Sequence, residues 1–454
     1  MVTPGNGIDE TLQDLAREGI EVRVVTNAVS DLWRDMYRQE VNSDFWVLPV
    51  ESGDRLCRGA GSVYRQAAAA APSTVRIIYA DDDLGERGSP HLKPDWNSEL
   101  FGYFDYLTGA AIARFDASWI HDMPEIELSG DLFKRAAEAG PQPPLHIPRI
   151  LHHRRARPMP RRPVPPTLTL EQREHLPIVS VIVPTRNRHD LLQACLDGLA
   201  RTDYPKPLDI IVIDNGSDDP ETLAYLNRLE LAFARVLTIP GPFNFAALIN
   251  NAVEQTQGEL LCFLNNDIEI DDPDWLTIMA RQAMREEVGA VGAQLLYPDG
   301  RVQHAGVVLG IGGGAAHAHR LLDPDEEGYF HRHALPQFVS AVTAACLVVK
   351  RERFLEVGGF DAENFAVAFN DVDLCMKLNG RGWKSLYEPR ARLVHHESVS
   401  RGFDRDRTGS ERLARELEAL QNRWNIAASP DGRTPDQFHH PFLSPYSEQF
   451  VLDL

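Results

Sequence analysis

The stretch IVSVIVP, Ile178–Pro184, runs straight into the polar turn Thr185-Arg186-Asn187-Arg188. An apolar, β-branched run stopped by proline and polar residues predicts a strand buried on both faces, as in parallel sheets. Helical spacing follows over Asp190–Ala200, and a second run, LDIIVI at Leu208–Ile213, stops at the turn-prone Asp214-Asn215-Gly216-Ser217. Strand, helix and strand in this order make a βαβ unit. Further strands are expected at Arg235–Ile239 and at Glu259–Leu264 (ELLCFL), with an amphipathic stretch over Phe245–Gln255 between them. The alternation predicts a doubly wound α/β domain. Ligands of such sheets sit beyond the carboxyl ends of the strands, which is where Thr185, Asp214 and Asp267 fall.

Around this segment the chain extends to 454 residues, enough for two or three domains. Its 43% hydrophobic and 25% charged residues are ordinary globular usage and exclude wholesale disorder. With 66 acidic against 46 basic residues the formal charge is -20, which repels a phosphate backbone, so nucleic acid is not an expected partner. The five cysteines are scattered without a CxxC pair and read as reduced thiols of a cytoplasmic protein. The acidic amino terminus lacks the order of a signal peptide, and the longest apolar stretch, Phe338–Val349, is too short to span a bilayer. Leu145–Leu170 combines six arginines with many prolines and no periodicity, and reads as an extended interdomain linker. Its charge suits acidic lipid headgroups at the inner membrane, beside the simpler reading of solvated charge on a connector. The chain thereby divides into residues 1–150, a linker at 151–176, an α/β domain at 177–404 and a carboxyl-terminal part at 405–454, in which Arg405–Trp424 is an amphipathic helix.

Asp267 follows the apolar strand ELLCFL through Asn265-Asn266, so its carboxylate is delivered to the ligand edge on a rigid element. Magnesium and manganese take one or two carboxylates plus phosphate oxygens, which suits a metal-diphosphate site; an Asx turn after the strand is the other reading. Asp371 and Asp373 open a helix whose apolar face includes Leu374 and Leu378. One carboxylate can cap the helix while the other takes a proton from a hydroxyl. His395 and His396 follow the strand-like Ala391–Val394 and read either as a completion of the metal shell or as a surface pair. Gly310–Gly314 (GIGGG) reads as a flexible turn rather than a dinucleotide loop, and zinc at His317, His319, His331 and His333 is not expected.

The ordered set SVIVPTRNR, VIDNGSDD, FNFAALINNAV, LNNDIEI, VQHAGVVLG, TAACLVVKRERFLEVGGFD, FNDVDLCMKLNGRGW and LVHHESVSRG, spanning roughly Pro177–Asp404, resembles the inverting family 2 glycosyltransferases of GT-A fold. It most resembles the rhamnosyl-type subgroup that builds bacterial surface polysaccharide and O-antigen. The resemblance implies a mixed α/β sheet, a divalent Mg or Mn, a nucleotide-sugar donor and a glycan or lipid-linked acceptor. It places Pro184, Thr185, Arg188, Asp214, Asn250 and Asn266 at the nucleotide, and Asp267 and His395 at the metal. Asp371 matches the base, and Ala344, Cys346, Asn370 and Asp373 border donor or acceptor. The family's usual DxD is here Asn265-Asn266-Asp267, which keeps only the last carboxylate. The implied reaction is a single displacement that inverts the anomeric carbon; a non-catalytic sugar or nucleotide binder of the same fold is the competing class.

Ile77–Phe115 resembles the stretch found after the metal motif in tandem transferases. Aligning a strand at Asp44–Leu48 with Leu260–Leu264 sets Pro49-Val50-Glu51 opposite Asn265-Asn266-Asp267, and Ser129 falls opposite Asp371. The first half is thus expected to be a truncated, inactive transferase-like α/β domain, beside the simpler reading of an unrelated small α/β domain, with Asp81-Asp82-Asp83 as the feature that would support a second active site.

Overall fold

The computed structural model describes residues 2, 5–22, 24, 45–85, 88–115, 129–164, 169–230, 234–396, 407–426 and 434–452. The chain forms two compact units: Met1–Arg161 with His440–Phe442, and Arg162–His439 with Leu443–Leu454. Among the described residues no helix is long and apolar enough to cross a membrane.

In the first unit, strands β1 (Phe45–Val47), β2 (Arg55–Leu56), β3 (Ile77–Leu84), β4 (Ser89–His91), β5 (Ala111–Phe115) and β6 (Leu145–Arg154) form one sheet in the order β1-β5-β3-β6-β2, with β4 beside β3. Strand β6 corrects the linker expected from Leu145 onward: its first ten residues run parallel to β3. Pro148 and a cluster of arginines hide the strand's alternation. The ladder slips where Pro148 cannot donate, Ala80 pairing with Ile147 but Asp81 with Ile150. Two of the six arginines are also not simply solvated. Arg154 lies 3.7 Å from buried Asp54, and Arg157 lies 2.5 Å from buried Asp82, which Lys93 also meets at 2.8 Å. The strand aligned at Asp44–Leu48 is observed at Phe45–Val47, Asp44 lying outside the described residues.

The second unit contains β7 (Val179–Thr185), β8 (Asp209–Asp214), β9 (Arg235–Thr238), β10 (Leu260–Leu264), β11 (Ile268–Glu269), β12 (Val288–Leu296), β13 (Val302–His304), β14 (Val307–Leu309), β15 (Ala315–His317), β16 (Gln337–Val339), β17 (Cys346–Lys350) and β18 (Lys384–His395). The main sheet runs β11-β18-β12-β17-β10-β7-β8-β9, parallel from β10 to β9 and antiparallel where β17 lies between β10 and β12. Apolar cores cover both faces. Val179, Val181 and Val183 enter one and Ile182 the other, as do Leu260, Cys262 and Leu264 against Leu261 and Phe263. Burial on both faces is why these strands read as continuous apolar runs. The carboxyl ends of β7, β8 and β10 share one edge, which carries Thr185, Asp214 and Asn265–Asp267.

The two sheets repeat one pattern. Strands β1, β2, β3, β4, β5 and β6 pair among themselves as β10, β11, β12, β13, β17 and β18 do. In both sets the third and sixth strands are parallel. The first with the fifth, the third with the fifth, the second with the sixth and the third with the fourth are antiparallel. Helices Ala60–Ala70 and Trp275–Ala283 fill the same place before the third strand, and Ser129–Ala139 and Asn370–Gly380 the same place before the sixth. In this register the residue preceding β2 is Asp54, as Asp267 precedes β11. This moves the counterpart of Asp267 from Glu51 to Asp54.

Candidate active site at the sheet edge

A cavity of about 820 Å³ opens at the carboxyl edge of β7 and β10. It is lined by Pro184, Thr185, Arg188, Asn266, Asp267, Ala344, Asn370, Asp371 and His395 of the residues singled out in the sequence, and by Phe243, Phe245 and Thr343. Asp214, Asn250, Cys346 and Asp373 are not among its lining residues. Asp214 is buried at the end of β8, where one oxygen accepts from Ser217 N–H at 2.8 Å. Asn250 brackets Phe360, donating to its carbonyl at 2.7 Å and accepting from its N–H at 3.0 Å. The Cys346 thiol lies in the core, 3.9 Å from Met279 sulfur, and burial pushes it well above the usual thiol range. Asp373 is one turn-face away from Asp371, so it meets Lys377, Arg423 and Trp424 instead of the cavity.

Asp267 is 4% exposed and held by the tight turn after β10, in which Asn266 donates to Thr185 Oγ1 at 2.9 Å and Asn265 N–H reaches Ala345 O at 2.9 Å. Its Oδ1 accepts no hydrogen bond although His395 Nε2 is 3.1 Å away. His395 Nδ1 is 2.7 Å from Gln303 Oε1, and Gln303 Nε2 donates to His395 O at 3.4 Å, which fixes the amide's orientation. An amide oxygen only accepts, so Nδ1 carries the proton. In the neutral ring Nε2 then carries the lone pair that faces the carboxylate oxygen, with Asn265 Nδ2 3.3 Å from it; with Nε2 also protonated the two groups form an ion pair. Burial raises the Asp267 carboxyl and, in the ion-paired form, the hydrogen bond and charge of His395 lower it more, leaving it below the usual range and ionised at neutral pH; a bound cation would take the place of the Nε2 proton. Two convergent lone pairs, one on an orphaned buried oxygen, fit a divalent cation.

Asp371 stands on the first turn of the Asn370–Gly380 helix, after Phe369 in a left-handed conformation (φ 58°). Its carboxylate accepts from Ala344 N–H at 3.0 Å and Val372 N–H at 2.9 Å. Asn370 turns away to donate to Val367 O at 2.7 Å. The Thr343–Ala345 loop thus links Asp371 to the Asn265–Asp267 turn. On its far side buried His304 accepts from Thr343 N–H at 3.5 Å and meets cavity-lining His317, ring nitrogen to ring nitrogen, at 2.7 Å. Burial keeps His304 well below the ordinary imidazole range.

The helix Arg407–Trp424 packs behind this wall, on the α/β domain. Glu416, 3% exposed, accepts from Val367 N–H and Ala368 N–H at 3.0 and 2.8 Å, fixing the loop that enters the Asp371 helix. Gln421 donates to Gly313 O at 2.6 Å, anchoring the β14–β15 turn at GIGGG. Sequence reasoning missed Glu416, Gln303 and the wall role of Thr343. The available signal for Glu416 was a carboxylate on the stripe Leu413, Leu417, Leu420 of an otherwise amphipathic helix. Glu416→Ala removes the acceptor of two part-buried N–H groups and is expected to destabilise the second unit by about 1–2 kcal/mol, read as a lower unfolding midpoint in denaturant; an unchanged midpoint contradicts the assignment.

The model of Glycosyl transferase family 2 matches residues 180–338. The chain is 37% identical over 83% of its length to a protein of Sinorhizobium fredii named "Uncharacterized protein y4gI", of which it covers 46%. It is 35% identical over 72% of its length to the O-antigen biosynthesis protein RfbC of Myxococcus xanthus, of which it covers 29%. Over 44% of its length it is 27% identical to N-acetylglucosaminyl-diphospho-decaprenol L-rhamnosyltransferase of Mycobacterium tuberculosis, covering 70% of that protein. The chain therefore spans about half or less of the first two relatives.

Proposed function

Since the chain carries a glycosyltransferase family 2 domain, we propose that its second unit transfers a sugar, with inversion, from a nucleotide sugar to a glycan or lipid-linked acceptor in surface polysaccharide synthesis. The observation that carries this reading is the placement of Asp267, His395 and Asp371 around one cavity. Asp267 and His395 are the residues that would hold Mg or Mn, which when bound supplies positive charge to the leaving diphosphate. Thr185, Arg188 and Asn266 line the same edge and are assigned to the nucleotide. Pro184 ends β7 beside them and shapes that wall. Asp371, held by two backbone N–H groups, is assigned to take the acceptor hydroxyl's proton. Ala344 and Asn370 are assigned to the sugar-facing wall, while Asp214, Asn250, Cys346 and Asp373 take scaffold roles that follow from their contacts.

The first unit is proposed to be a non-catalytic copy of the β10–β18 pattern. Its Asp54, in the place of Asp267, faces Arg154 and accepts from Arg155 N–H, and Asp82 faces Lys93 and Arg157. Internal cations there neutralise the carboxylates that a metal-diphosphate would need. Asp81–Asp83 lie on β3, the counterpart of β12, rather than after the counterpart of β10. Cytoplasmic placement belongs to the same proposal, with any contact at an acidic inner-membrane surface left to arginines outside the buried pairs.

Calorimetry with UDP, GDP and dTDP tests this reading. One nucleotide is expected to bind in the presence of Mn and to lose that metal dependence in Asp267→Ala; binding that ignores both metal and substitution contradicts it. Gln303→Leu removes the acceptor that fixes the His395 tautomer and is expected to weaken Mn-dependent nucleotide binding about 10–100-fold, while Mn-free binding stays as in the wild type.

A further inference from the structure

In the first unit, Asp81 on β3 is fully buried and each of its oxygens faces a histidine. Oδ1 is 3.0 Å from His146 Nε2 and Oδ2 is 2.8 Å from His440 Nε2. One ligand atom from each of the three residues lies within 4.8 Å of the others. We propose that Asp81, His146 and His440 form a zinc site, unrelated to the cavity in the second unit. Zinc sits about 2.0–2.2 Å from imidazole nitrogen and carboxylate oxygen, so oxygen–nitrogen separations near 3 Å are what neighbouring ligands of one ion show. With Asp81 bidentate, two oxygens and two Nε2 atoms supply four donors, and borderline imidazole with carboxylate suits zinc.

Three further features support the site. The other buried carboxylates of this unit have basic side-chain partners, Asp54 with Arg154 and Asp82 with Lys93 and Arg157, whereas the Lys93 ammonium turns to Asp82 and Ala80 O. Asp81 is left to imidazoles and to the Lys93 N–H, which donates to Oδ1 at 2.8 Å. His146 Nδ1 lies 3.1 Å from Asp95 Oδ1, the carboxylate behind the ring that orients a metal-bound histidine. Tyr79 stacks on His146 at 4.6 Å and holds the ring's plane. His440 comes from near the carboxyl terminus and is fully buried at this point. Its Nδ1 accepts from Phe442 N–H at 3.1 Å, a bond that loading would open as Nδ1 takes up the proton. The competing account is a clasp in which protons on the histidines, not a metal, neutralise Asp81.

The test is a zinc titration of the full chain carrying Asp267→Ala, so that the candidate site of the second unit is disabled, after dialysis against EDTA. One equivalent of zinc is expected, with a thermal midpoint that falls on chelation and returns with zinc. His440→Ala is expected to lower zinc affinity at least about 100-fold and to remove the response to chelator. Asp95→Asn, at an exposed position that leaves the fold intact, is expected to weaken zinc about 10–100-fold and guards against a His440→Ala chain that fails to fold. A chain with no zinc equivalent and a midpoint indifferent to chelator and zinc overturns the proposal in favour of the proton clasp. Zinc retained unchanged in both variants overturns it as well.

Discussion

Asp371→Asn is expected to lower sugar transfer about 10²–10⁴-fold while nucleotide affinity stays within about two-fold of wild type. The amide keeps the shape and can still accept the Ala344 N–H that positions the carboxylate, so the loop and the helix start remain as they are. What is lost is the group proposed to take the acceptor proton, and positioned bases contribute on that order. The substitution therefore separates chemistry from binding. Saturation with donor measured alongside turnover checks it; a chain that transfers at near wild-type rate would remove Asp371 from the base role and leave it as the anchor of the Thr343–Ala345 loop.

Asp267→Ala is expected to abolish metal-dependent activity, a loss of about 10³-fold or more. Asp267 provides an ionised, buried oxygen with no hydrogen-bond donor, and His395 provides the facing lone pair. Without the carboxylate, His395 alone cannot hold Mg or Mn, which prefer oxygen ligands, and the leaving diphosphate loses several kcal/mol of charge stabilisation. Removing a buried charge that has no hydrogen-bonded partner costs the fold little, so the variant should remain folded and the effect should appear in turnover and nucleotide affinity. Restoration of activity by raised Mn concentration would indicate that the ion is held elsewhere. Asp267→Ala and Asp371→Asn should then differ in kind, the first losing the metal dependence of nucleotide binding and the second keeping it.

Much of this site was legible in sequence because strand ends are. Apolar runs such as IVSVIVP and ELLCFL are continuous since both faces of the sheet are covered, and the polar residues that stop them fall at the ligand edge. Thr185, Asp267 and His395 sit at strand ends and Asp371 at a helix start, and all four line one cavity. Spacing says less about side-chain direction, which is why Asp373, two residues from Asp371 on a helix, belongs to the Arg423 and Trp424 contacts instead. Cys346 and Asn250 carry polar atoms in apolar contexts, and only packing decides that they serve the core.

Other features were hidden by composition. Proline and arginine masked β6, since a strand that contains a bulge at Pro148 and turns Arg154 toward buried Asp54 lacks two-residue alternation. Gln303, Glu416 and His440 act through partners 92, 49 and 359 residues away, at His395, Val367 and Asp81, and no local pattern records such separations. The repeated pairing of β1–β6 and of β10 to β18 is likewise a property of topology. Setting Asp44–Leu48 residue by residue against Leu260–Leu264 put Glu51 opposite Asp267, whereas the strand pairing puts Asp54 there.

The most direct test of the central claim is nucleotide release from a panel of UDP-, GDP- and dTDP-sugars, with and without Mn or Mg, by the full chain and by Asp267→Ala. The account predicts release from one donor class that requires the metal and falls at least about 10³-fold in the variant. Release that proceeds without metal and survives Asp267→Ala, or nucleotide binding with no release from any donor even when acceptor glycan is supplied, would contradict it.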